Sequence, residues 1–67
     1  MIQWTSILTM RQIENVLGKP WVMMLIEETE PAKLARFCEC RSVGAWDACD
    51  KERYAAYRSL ALHCLKK

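Results

Sequence analysis

A single glycine, Gly18, lies between two segments that each read as a short helix, and this joint constrains the chain more than any other feature. Before it, Thr9 suits a helix N-cap, and Gln12 three residues later completes a capping box, in which each side chain accepts from the other's backbone N–H. Ile13, Val16 and Leu17 then recur at i, i+3 and i+4, which makes one apolar stripe. Gly18 suits the left-handed position just past a helix end, and Pro20 suits the first turn of the next helix, where no amide hydrogen is needed. The spacing predicts helices over about 9–17 and 20–28.

Two short helices set against each other by a glycine turn form the core of a helix-turn-helix, whose second helix presents its outer N-terminal face to DNA bases. Ile13, Leu17, Val22 and Leu25 would supply the inner contacts, with Trp21 and Ile26 against later helices. That leaves Lys19, Met23, Met24 and Glu27 outside. Only Lys19 is cationic there, and neither methionine nor glutamate matches the usual arginine–guanine or asparagine–adenine pairings. Two merely packed helices are the competing expectation.

The stretch Leu8-Thr9-Met10-Arg11-Gln12-Ile13, followed by Leu17-Gly18-Lys19-Pro20-Trp21-Val22, resembles the helix-turn-helix of ParB-type plasmid partition and repressor proteins. The likeness extends through Pro31, Leu34, Phe37 and Val43, so it spans residues 8–43. Small excisionase-type regulators share a comparable Leu-Thr, Leu-Gly and Leu-Ile-Glu-Glu pattern. The turn is two residues shorter here, and Met23 stands where the ParB pattern has a serine. The resemblance implies a DNA-binding regulator of a plasmid, phage or other mobile element, acting as a homodimer. It carries Arg11, Gln12, Lys19 and Met23 over as DNA-facing positions.

Residues 21–26 are all apolar and wrap the whole circumference of their helix. Such a helix is normally buried on every side, which three other short helices cannot achieve. Trp21, Met23 and Met24 are therefore candidates for a protein interface, methionine being adaptable at binding surfaces. A non-enzymatic protein-binding module or inhibitor is the alternative function. The rival expectation is that the arm around Trp4 covers this surface.

Sixty-seven residues make one domain with a small core, and 52% hydrophobic residues argue against disorder. So short a chain leaves little room for an enzyme pocket with its scaffold, and no cofactor is expected. Residues 1–32 carry two cationic and four acidic side chains, and residues 33–67 carry eight against four. Basic potential thus sits away from the candidate reading helix, with Lys33, Arg36, Arg53 and Arg58 as candidate contacts to a DNA backbone. The N-terminal residues lack a positive segment before a long apolar one, and no apolar run can span a bilayer. The expectation is a cytoplasmic protein with no membrane partner and reduced thiols.

Residues 1–8 read as an arm, with Ile2, Trp4 and Ile7 available to pack over the core. Thr29 and Pro31 open a third helix over 31–41, with Leu34, Phe37 and Cys38 inward and Gly44 as its stop. Asp47 or Asp50 caps a fourth helix over 47–65, with Tyr54, Tyr57, Ala61, Cys64 and Leu65 as its stripe, Leu60 beside it, and Lys66 and Lys67 at the negative end of its dipole. The fold class is all-α with four helices; a winged helix with 33–46 as a β-hairpin is the rival. Cys38, Cys40, Cys49, His63 and Cys64 invite a zinc reading. Fourteen residues between Cys49 and His63 span about 21 Å on a continuous helix, so one ion cannot join them and no metal site is expected. Cys38 and Cys64 read as small buried hydrophobes, Cys40 and Cys49 as exposed thiols.

Overall fold

Most helix boundaries have a local cause, and the end of α3 is the exception. The computed structural model describes residues 2–65, which form α1 (Met10–Leu17), α2 (Lys19–Glu28), α3 (Pro31–Asp47) and α4 (Lys51–Leu65) after an N-terminal arm. The chain is all-α, with no strand among the described residues, so the β-hairpin over 33–46 is set aside. The expected role of Lys66 and Lys67 lies outside the described residues.

Thr9 opens α1 as a full capping box: the Gln12 amide donates to Thr9 Oγ1 at 3.2 Å, and the Thr9 amide donates to Gln12 Oε1 at 2.9 Å. Gly18 both closes α1 and opens α2. Its amide donates to the Glu14 carbonyl at 2.9 Å, and its own carbonyl accepts from Val22 at 3.0 Å. The backbone there has φ 97°, a conformation that side chains with a Cβ strain to adopt. A one-residue joint is possible only because that residue is glycine.

The second punctuation differs from the sequence expectation. Thr29 does not cap α3; its amide donates to Leu25 at 3.0 Å and closes α2, while Glu30 precedes α3 without a side-chain cap. Nor does Gly44 end α3, which continues to Asp47. Ala45 is buried, and Trp46 packs on Trp4, so extending the helix by one turn gains tertiary contact. The real stop is a Schellman arrangement built on Cys49, with Cys49 donating to Trp46 at 3.0 Å and Asp50 to Ala45 at 2.9 Å. Cys49 takes φ 57° in the place usually held by glycine. Asp50 then caps α4, accepting from the Arg53 amide at 3.2 Å; Asp47 belongs to α3.

α4 is the central helix. Ala55, Ala56, Tyr57, Ser59, Leu60 and Ala61 are all buried, so α4 is covered around most of its circumference. The small side chains at 55, 56, 59 and 61 let neighbouring backbones come close. α3 makes the most extensive contact with α4, α1 lies along it, and α2 touches α1 and, least, α3. The core is Leu8, Ile13, Val22, Leu34, Ala35 and Cys38 around these α4 residues. Leu65, expected on the inner stripe, is exposed, and Tyr54 is only half-buried. Phe37 is likewise at the surface rather than in the core.

The arm is tied to α4 by its backbone. Leu8 is buried, and its amide donates to Ser59 Oγ at 2.8 Å. Its carbonyl accepts from His63 Nε2 at 3.1 Å, which places a proton on that nitrogen. Ile7, expected to pack inward, is instead exposed, while its neighbour Leu8 is buried.

Two tests follow from these boundaries. Gly44→Ala, in the interior of α3 with open space around its Cα, is expected to stabilise the fold by about 0.5–1 kcal/mol, whereas Gly18→Ala destabilises it by about 1 kcal/mol or more. Urea midpoints of the two variants check the opposite signs. Ser59→Ala leaves the buried Leu8 amide unpaired and is expected to cost about 1–3 kcal/mol in the same assay.

Candidate functional site

The inner side of α2 is apolar and is used by the fold, and the outer side carries two exposed methionines between charged ends. Val22, Leu25 and Ile26 form the inner stripe at i, i+3 and i+4; Val22 is fully buried, and the other two pack partly against the core. Trp21 lies at the edge, its ring centroid 6.1 Å from Phe37 and 6.2 Å from Tyr57. This is the packing against later elements that the sequence suggested.

The opposite side carries Pro20, Met23, Met24 and Glu27, a second stripe at i, i+3, i+4 and i+7 whose members are all exposed. Met23 is 39% and Met24 43% exposed. Trp4 does not cover them, since its ring stacks 4.7 Å from Trp46 and 5.3 Å from Tyr54. The stripe changes charge along its length. Exposed Lys19 stands at its start, and exposed Glu27, Glu28 and Glu30 gather at its end.

Of the positions proposed for DNA, Arg53 and Arg58 line different grooves. Arg11 and Lys19 are exposed, but the Gln12 side-chain oxygen is engaged in the Thr9 cap. Lys33 and Arg36 share the solvent side of α3. Arg53 is ion-paired to Asp50 at 3.3 Å and lines one groove with Arg41, Cys40 and Tyr57. Arg58 lies over the Tyr54 ring, 5.5 Å from its centroid, and lines a different groove with Glu39, Val43 and Trp46. A helix-turn-helix normally has a turn of about three or four residues, and here Gly18 alone separates the helices.

One feature escaped the sequence reading. Val43 (61% exposed) and Trp46 (53%) are apolar residues on the outside of α3, beside Trp4 and Tyr54. Their i, i+3 spacing off the buried Leu34–Cys38–Ser42–Ala45 stripe was the available signal. Trp46 and Trp4 hold the arm; they are part of how the chain closes.

The cysteines divide by environment. Cys38 is fully buried, and burial, with Cys64 adding to it, pushes its thiol from 9.0 up to about 12. The folded state therefore keeps this proton while the unfolded chain releases it, so stability falls as pH rises from about 9 towards 12. Cys40 and Cys49 are exposed. Among the described residues, no group of three His, Cys, Asp or Glu side chains is placed to hold a metal ion. No described helix is long and apolar enough to cross a membrane.

Comparison with protein-family models, curated proteins and solved structures gives no match for this chain.

Timed alkylation under native conditions tests the thiol assignment. Cys40 and Cys49 are expected to label quickly, and Cys38 only after denaturant is added. Rapid native labelling of Cys38 would mean that the α3–α4 interface is open.

Proposed function

We propose that this chain is a small non-enzymatic protein-docking domain whose working surface is the outer stripe of α2. The observation that carries the proposal is the pair Met23 and Met24, adjacent large apolar side chains exposed at the centre of the outer side of α2. Two adjacent flexible thioethers on one regular helix offer adaptable contact area without disturbing the inner packing. A helix of this kind engages partners through anchors at i, i+3, i+4 and i+7, which is the spacing of Pro20, Met23, Met24 and Glu27.

DNA binding is the second reading. It is supported by the Thr9-capped α1, the glycine joint and the exposed cations Arg11, Lys19, Lys33 and Arg36. It is opposed by the one-residue joint and by an outer α2 face of methionine and glutamate, which offers few groups to base edges and repels phosphates. As a regulator of a mobile element, such a protein would lose affinity steeply as salt rises.

Photo-crosslinking from position 24 in expressing cells distinguishes the two. The docking reading expects adducts to polypeptide that disappear in the Met23→Glu background. Adducts to nucleic acid, together with salt-steep gel shifts weakened by Arg11→Ala and Lys19→Ala, would overturn docking in favour of the second reading. No adduct at all would overturn docking outright.

A further inference from the structure

The outer stripe of α2 is complementary to itself, and we propose that a second copy of this chain occupies it, with the two α2 helices packed antiparallel about a two-fold axis. The inference rests on the docking reading and names its partner. α2 runs from Lys19 to Glu28, so its midpoint falls between Met23 and Met24. An axis through that point brings Met23 and Met24 of one protomer together with the same two residues of its partner, giving a four-thioether centre.

The ends of the stripe agree with this arrangement. Lys19 lies at the start of α2 and Glu27 in its last turn, both at the surface. Antiparallel pairing brings Lys19 of one protomer near Glu27 of its partner, at both ends of the interface. It also opposes the two helix dipoles favourably. A parallel pair would instead place the two Glu27 carboxylates side by side. A partner surface of uniform charge would meet repulsion at one end or the other, from Lys19 or from Glu27. A second copy inverts the same gradient.

The apolar area extends beyond the methionines. Trp21 lies three residues before Met24 on the adjoining flank and meets Phe37, over which Arg41 is stacked 5.4 Å from the ring centroid. The contact is nevertheless small. α2 is about 15 Å long, and a standard interface covers roughly 800 Å² per partner, a large share of the 4762 Å² surface of this chain. The dimer is accordingly an exchanging one, dissociating in the micromolar range or above.

Sedimentation of the full chain from roughly 1 μM to 1 mM covers that range. The wild type is expected to move from one to two chain masses. Met24→Glu should remain a monomer. Lys19→Glu and Glu27→Lys should each weaken association about tenfold, and the double variant should restore it, because the pair is re-formed between protomers. Unchanged urea midpoints would show that these surface variants still fold. A wild type monomeric throughout, a dimer indifferent to Met24→Glu, or a double charge reversal that fails to restore association each overturns the proposal. Crosslinks from position 24 to a different polypeptide by a monomeric chain would overturn self-pairing and leave the docking reading standing. Absence of any polypeptide adduct removes both.

Discussion

The backbone of Leu8 is held from both sides by one helix, and the arrangement of the chain depends on it. An extended arm can be buried only if its amide and carbonyl find partners, because an unpaired buried polar group costs about 1–3 kcal/mol. Ser59 accepts from the amide and His63 donates to the carbonyl, one turn apart on α4. With those groups satisfied, the Leu8 side chain enters the core and Thr9 is positioned to cap α1. The direction of α1, and through Gly18 that of α2, follows from where the arm is fastened. The alanines of α4 complete the condition, since bulkier side chains would hold the arm and α1 too far away for either hydrogen bond.

Which features the sequence disclosed follows from how local their causes are. The Thr9–Gln12 box, the Gly18 joint and Pro20 are short-range chemistry, and each appears where the spacing placed it. Val22, Leu25 and Ile26 lie inward, at spacing that suits contact with α1, and Met23 and Met24 fall on the other side; in an unbroken apolar run that spacing left coverage of the methionines open. The end of α3 was not. Glycine is the usual left-handed residue, so Gly44 was the visible stop, yet tertiary contacts of Ala45 and Trp46 carried the helix through it to a cysteine that accepts the left-handed strain. α4 was legible in part: Tyr57, Leu60 and Ala61 lie inward as their spacing implies, but the rest of its inner surface is Ala55, Ala56 and Ser59, which a search for large apolar residues passes over in favour of Tyr54 and Leu65.

The same division applies to the candidate site. The apolar helix was evident, but whether the arm covered it depended on where Trp4 goes, a question of distant packing. Trp4 is captured by Trp46 and Tyr54 at the α3–α4 end of the molecule, where Arg58 stacks on the outer ring. That cluster needs residues 42 positions apart in the chain, and no local pattern announces it. Trp4 is thus engaged at that cluster, and Met23 and Met24 of α2 are exposed.

α2 is also the helix least secured by its own chain. It has ten residues, begins at a glycine without a side-chain cap, and makes the sparsest contact with α3. Isolated helices shorter than about 12–15 residues are marginal in water, so α2 depends on burial for its order. The fold buries one of its apolar sides and leaves the other, which in so small a chain forgoes a notable share of the available hydrophobic stabilisation. A partner laid along Met23 and Met24 would bury the second side and order the helix more firmly. Docking and completion of the fold would then be the same event, and the affinity of the surface would be coupled to the stability of the helix that presents it.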